Sequence, residues 1–424
     1  MLKAIRQIWK TPELRSSILF VFAMLVIFRI ASIIPVPGVD PTNLRAFFAQ
    51  NQVLGLVNLF SGGALSNFSV MALGVGPYIT ASIIFQLLAM IIPRLEEMQK
   101  EGESGQQRIN QYTRLATVPL AFLQAYAMIN LLKQSQQPII GDLGTMEFAG
   151  VLLTMTAGTM LLMWIGELIS ERKIGNGVSI LIFAGIIAGL PTAVQQAILT
   201  FDPSQVMTPV AYVIIGVLTV SGVVFITEGQ RNIPVVFAKR MRGTKLFGGA
   251  ETYLPLRANM AGVIPIIFAV SIILFPSMVA QLFIHAKTPW VADAAQKTIA
   301  LLQDQLLYGI AFFVLVFVFT YFYTAVVFHP DRVAENLQKQ GGYIPGIRPG
   351  RPTSEYLMKT VNRIIPAGAF FLATIAVLPI AVQQLTGSQS LVVGGTGLLI
   401  VVSVVIEIVN QINAQLTMRE YETL

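Results

Sequence analysis

The chain has 424 residues, 54% of them hydrophobic and only 12% charged, with a mean hydropathy of +0.70 and a formal net charge of +7. Soluble chains carry about 25% charged residues and disordered chains are less apolar still, so both classes are excluded. The absence of cysteine excludes disulfide scaffolds, thiol catalysis, iron–sulfur clusters and Cys-ligated zinc, and two histidines, His285 and His329, lie too far apart in the chain for an HExxH-type site.

What remains is an all-α polytopic membrane protein. Spanning ~30 Å of hydrocarbon takes about 20 apolar residues. Ten stretches approach or exceed that length: 17–34, 71–93, 115–132, 149–170, 177–197, 209–227, 259–284, 306–328, 363–383 and 391–412. The first has a basic flank, but Pro35, Val36 and Pro37 follow it in place of a small-residue cleavage site, so it is expected to be retained as a span. Residues 56–70, LVNLFSGGALSNFSV, are too short to cross and rich in Gly, Ser and Asn. Such backbone is tolerated at membrane depth only where it is buried in protein or lines a cavity. Two long basic connections follow, 228–258 and 329–362, and the Gly–Pro punctuation of GGYIPGIRPGRP in the second predicts a tight hairpin tip.

Charge orients the bundle. Of the 28 Lys and Arg residues, all but Arg29, Arg45, Lys133, Lys287 and Lys297 fall on the side that carries the N-terminus. By the positive-inside rule that side is cytosolic and both termini face it. Ten spans then divide into a half over 1–200 and a half over 201–424 of opposite topology, the pattern of inverted repeats.

Ionisable residues within spans are the default functional candidates. Here they are Arg29, Glu167 and Glu407, all toward span ends, where edge residues reaching the interface are expected. His285 and His329 also sit at span ends, and no GxSxG, P-loop or GxGxxG motif is present, so an enzyme is not expected. Recurrent small residues (Gly74, Gly76, Gly185, Gly189, Gly216, Gly262) suit close helix packing. The residues alone leave two classes nearly level, a channel and a secondary transporter of a small solute. A transporter needs polar coordinating groups at the midplane, where this chain offers aliphatics.

The stretch NLFSGGALSNFSVMALGVGPYITASIIFQLL (58–88) resembles the plug and second-helix region of the bacterial SecY family, the channel subunits of the general protein-translocation pathway. KEGESG with QYTR (100–114), LMWIGELISERKIGNGVSILIFAGIIAGLP (162–191), GQR…AKR (229–240), NMAGVIPIIFAVSIILFP (259–276) and YIPGIRPG with GGTGLLIVV (343–402) extend the resemblance over nearly the whole chain. It implies two five-helix halves around an hourglass pore that passes unfolded secretory polypeptides and releases membrane segments sideways into lipid. A pore ring of Val75, Ile79, Val178, Ile182, Ile267 and Ile400 is implied at the waist. The first two pairs are spaced i, i+4, so each shares one helix face, and an apolar ring gates by dewetting. A short plug helix is implied over Asn58, Phe60, Ser61, Gly62, Gly63, Ala64, Leu65 and Phe68, with Phe60, Leu65 and Phe68 packing against the ring. Gln86 and Asn259 are implied at a lateral gate between the second and seventh spans, and Arg231, Lys239, Arg240 and Arg348 at a surface for the ribosome, including ribosomal RNA, and the SecA motor. SecE and SecG are implied as further subunits, with a bacterial cytoplasmic (inner) membrane location and no cofactor. Relatives commonly have further basic residues where this chain has Asn232 and Gln106-Gln107, which lowers the positive charge of the docking face.

Overall fold

The structure, a computed structural model, describes residues 11–36, 39, 43, 44, 58, 61–133, 139, 141, 144–199, 207–237, 240–242, 245–247, 251–284, 286–386 and 390–422. Ten helices overlap the ten expected spans: α1 (Pro12–Ala31), α2 (Gly76–Ile91), α4 (Glu103–Lys133), α5 (Thr145–Glu171), α6 (Gly177–Leu199), α7 (Met207–Glu228), α8 (Ile264–Phe283), α10 (Gln305–Val327), α12 (Arg351–Thr386) and α13 (Ser390–Glu422). Among the described residues seven of these are long and apolar enough to cross a membrane unaided. The second span is broken: α2 meets α3 (Pro93–Lys100) at a bend of 101°. Pro93 cannot donate to the turn before it and serves as a start for α3 instead. α6 and α7 contribute the shorter apolar helices Gly177–Pro191 and Val213–Glu228.

Local chemistry sets several of the ends. α1 opens with Pro12, whose fixed φ suits the first turn, and carries Glu13 near its start and Arg29 near its end, charges that suit the helix dipole. Asp304 caps α10, its carboxylate accepting from the backbone N–H of Leu306 (2.9 Å) and Leu307 (3.2 Å). The bundle exposes an apolar coat, including Phe22, Ile27 and Ile30 on α1, Val213, Val217 and Phe225 on α7, and Ile310, Val314 and Val318 on α10. In water such a coat would be a liability; against lipid tails it is the expected surface.

Helix packing falls largely within residues 1–200 and within residues 201–424. α4 packs on α2 and α5, and α5 on α6, in the first set; α10 packs on α8 and α12, and α13 on α7 and α12, in the second. The sets join where α8 meets α2 and α4, and where α13 meets α6.

Two regions depart from expectation. Ser61 to Val75 forms consecutive turns in place of a regular plug helix, because Gly62 (φ 70°), Gly63 (φ 79°), Phe68 (φ 42°) and Gly74 (φ 60°) all sit in the left-handed region. The two basic connections, expected as loops, share one sheet. β1 (Gln230–Phe237) pairs antiparallel with β4 (Glu251–Arg257) and also with β5 (Gly342–Tyr343), and a small hairpin of β2 (Arg240–Arg242) and β3 (Lys245–Phe247) lies between. Ile233, Val235 and Leu256 of this sheet bury against Leu357, Val361 and Ile365 of α12. The expected hairpin tip is a strand–turn–helix element running from β5 to α12, preceded by α11 (Pro330–Lys339). A further amphipathic helix, α9 (Pro289–Gln303), packs on α8 and α10.

Candidate functional site

Four helices bring the six ring candidates into one apolar cluster. Val75, Ile79, Ile182, Ile267 and Ile400 are each at most 3% exposed, and Val178 packs partly buried against them. Backbone structure explains the placement. Val75 is the N-cap of α2 and accepts from the Ile79 N–H at 3.0 Å, so the pair occupies the first turn. The start of α6 is pinned to α5: the Gly177 N–H donates to Ser170 Oγ at 2.8 Å, and a Cβ at Gly177 would lie 1.8 Å from the Gly166 carbonyl oxygen. Asn176 Oδ1 then accepts from the Ser179 N–H at 3.1 Å, starting the helix that carries Val178 and Ile182. On α8, Ile267 follows the N-terminal turn opened by Val263 and Pro265.

The plug candidates lie beside this cluster, in part differently from expectation. Ala64 belongs to the ring cluster. Leu65 and Phe68 do not. Both are buried in a second cluster with Ala121, Ala125 and Met128 of α4 and Leu152 and Met155 of α5. The reason is the backbone at the end of the segment. The Val36 N–H donates to the Phe68 carbonyl (2.9 Å), the Val70 N–H donates to the Ile34 carbonyl (3.1 Å), and Pro35 bridges Ser69, so the strand-like contact and the positive φ of Phe68 fix its ring on the α4–α5 side. Phe60 lies outside the described residues.

Glycine decides how close the plug sits. A Cβ at Gly62 would stand 2.7 Å from Phe28 Cζ and 2.9 Å from Gly185 Cα, and one at Gly185 would stand 2.3 Å from Gly62 Cα. Backbone therefore rests on backbone between plug and α6. At the next turn a Cβ on Gly158 of α5 would meet the Val70 carbonyl oxygen at 2.0 Å.

Of the charged candidates, Glu167 accepts from Arg114 Nε at 2.6 Å, an ion pair between α5 and α4 that reads as a structural tie. Arg29 Nη1 donates to the Gly62 carbonyl oxygen at 3.2 Å, a partner that sequence reasoning missed. Glu407 on α13 has no ion pair among the described residues. His329 is the N-cap residue of α11, though its side chain makes no capping bond, and His285 lies outside the described residues.

Gln86 on α2 and Asn259 before α8 lie on elements that pack together, yet each bonds locally. Gln86 Nε2 donates to Ser82 Oγ (3.2 Å) and Asn259 Nδ2 to the Gly262 carbonyl (3.0 Å), leaving Gln86 Oε1 and Asn259 Oδ1 buried without partners. Among the docking candidates, Arg231 is exposed on β1 and Arg348 is exposed between Gly346 (φ 82°) and Gly350 (φ 95°), with its carbonyl accepting from Thr353 Oγ1 at 2.9 Å. Arg240 opens β2, and Lys239 lies outside the described residues.

Comparison with known proteins gives the family and the fold. The SecY family model matches residues 69–409. The chain is 44% identical to the protein translocase subunit SecY of Streptomyces scabiei, covering 100% of this chain and 99% of that one. Its fold is similar to that of a solved protein-conducting channel, with a TM-score of 0.65 at 17% identity over 93% of this chain and 91% of that chain. It is also similar to Sec61 in the canine ribosome–channel complex from the endoplasmic reticulum, with a TM-score of 0.61 at 16% identity over 93% and 91% of the two chains.

Proposed function

This chain belongs to the SecY family, and from that premise we propose that it is a multi-pass protein-conducting channel of the bacterial cytoplasmic membrane, both termini cytosolic, closed at a waist by the six aliphatic residues. The observation that carries the reading is the cluster itself: aliphatic side chains from α2, α6, α8 and α13 meet where the plug segment rests. Aliphatic side chains offer ions and water no hydrogen bonds, so a narrow ring of them dewets and seals, yet it can spread around an extended chain of any sequence. Small-solute transport is not favoured, since the six ring side chains are all aliphatic and Glu167 is held by Arg114.

The two halves move as the units 1–200 and 201–424, and the seam between α2 and α8 releases apolar segments to lipid. Gln86 and Asn259 suit a seam that must open. Bonds between polar side chains of neighbouring membrane helices are worth only about 0.6 kcal/mol on average, and these two amides are not bonded to each other.

The chain has no nucleotide-binding motif, so the driving force comes from a partner, the SecA motor or a translating ribosome, with SecE and SecG as companion subunits. Sec61 is seen bound to a ribosome, and this chain presents Arg231 on a sheet braced by α12 and Arg348 in the turn between β5 and α12. Arg348→Glu is expected to weaken ribosome binding about tenfold and to flatten its salt dependence, as loss of a phosphate contact should. Co-sedimentation across a salt series checks this; an unchanged slope would remove Arg348 from the interface.

The reading as a whole is tested by reconstitution. The full chain with SecE and SecG in liposomes, supplied with SecA, ATP and a secretory precursor, should yield precursor protected from added protease. No protection, in vesicles where an active SecY complex protects the same precursor, would overturn it.

A further inference from the structure

We propose that Arg29 is the latch that holds the plug in its closed seat, and that breaking its bond to the Gly62 carbonyl is a step in opening. The inference rests on the channel reading and names a positioning residue within it.

Among the described residues, the side chains of Asn58, Ser61 and Ser66 bond within the plug. Asn58 Oδ1 accepts from the Ser66 N–H (2.8 Å), Ser61 Oγ donates to the Asn58 carbonyl (3.0 Å) and accepts from the Leu65 N–H (3.1 Å), and Ser66 Oγ donates to the Gly63 carbonyl (2.8 Å). The Gly63 N–H also donates to the Asn58 carbonyl at 2.9 Å. Among the described residues, one hydrogen bond ties Ser61–Ser66 to another element, and it comes from Arg29.

That donor is exposed at the end of α1 and could face the interface, yet it turns to the plug. A cation on a membrane helix is expensive unless it reaches water or a partner. Arg29 lies in the last turn of α1, where the helix dipole favours it, and spends one donor on a carbonyl 33 residues away. Gly62 is shaped to receive it. Its φ of 70° turns the chain in a way that L side chains rarely adopt, and Phe28 and Gly185 leave no room for a Cβ. Beyond the latch, the Pro35–Ser69 bridge clamps the end of the segment to the residues after α1. Phe68, with a φ of 42°, lies between the clamped end and the latched body. One backbone bond crosses this hinge, from the Ser69 N–H to the Ala64 carbonyl at 2.9 Å, so the body swings about Phe68 once Arg29 lets go and that bond opens.

A hydrogen bond to a charged group, if lost, shifts a two-state equilibrium about tenfold or more. Arg29→Leu in the full channel complex should thus raise resting ion leak about tenfold. The chain has no native cysteine, so a Leu65→Cys reporter can be read cleanly. Leu65 is fully buried, and its labelling by an impermeant maleimide from outside should accelerate by a similar factor in Arg29→Leu. Arg29→Lys, which keeps a cationic donor, should stay near the parent in both readouts. Equal sealing and labelling in parent and Arg29→Leu overturns the proposal. So does an Arg29→Lys channel that behaves like Arg29→Leu, because that outcome assigns Arg29 a packing role. A parent complex that fails to translocate precursor overturns the channel reading itself, and is seen separately.

Discussion

Gly185→Ala should evict the plug while leaving its supporting helix intact. The added methyl group would lie 2.3 Å from Gly62 Cα, and no flexible side chain stands between them to give way. Within α6, however, alanine is favoured over glycine by about 1 kcal/mol, so the helix itself is strengthened. The variant should therefore fold, insert and leak. Resting conductance and labelling of Leu65→Cys both report it. Gly189→Ala, one turn further along α6, is the control, since a Cβ there meets nothing within 4 Å. A Gly185→Ala channel as tight as the Gly189→Ala channel would mean that the plug does not seal against α6.

The second large effect concerns the waist. Replacing Ile79 and Ile182 by glycine removes two buried side chains, one from α2 and one from α6, and should let ions pass even with the plug seated. Each loss also costs fold stability, about 2–5 kcal/mol for truncating a buried isoleucine, so leakage alone does not prove a ring. Ile165→Gly supplies the comparison. Ile165 is 2% exposed in the same cluster, on α5, but lies outside the six ring candidates. It should cost similar stability and leave the membrane sealed. Equal leakage from Ile165→Gly and from the waist pair would reduce the ring to general packing.

Span positions, the bias of positive charge and the shared helix face of each i, i+4 pair were legible because each is a property of one element. Hydropathy reports membrane crossing, loop charge reports side, and the i, i+4 spacing of Val75–Ile79 and Val178–Ile182 reports a shared face. What was not legible depends on contacts between distant elements. The partner of Arg29 is a backbone carbonyl, and a carbonyl leaves no mark on the sequence. The burial of Leu65 and Phe68 against α4 and α5 follows from the bridge between Pro35 and Ser69, which no local propensity announces. The sheet was missed although Ile233 and Val235 alternate with Asn232 and Pro234, a period-2 signal too short to stand out in a basic stretch. Its third strand is two residues long and comes from the other connection.

The internal bonding of the plug also bears on how quickly the channel recovers. A segment that had to break its own hydrogen bonds on leaving would have to remake them on return, and resealing would wait on a folding event. Here the bonds of Asn58, Ser61 and Ser66 lie within the body, and a swing about Phe68 opens only the Ser69 N–H bond to the Ala64 carbonyl across the hinge. Once the last of a substrate clears the waist, the plug returns as a preformed piece. Recovery of the seal is then set by the return of this body and not by its refolding.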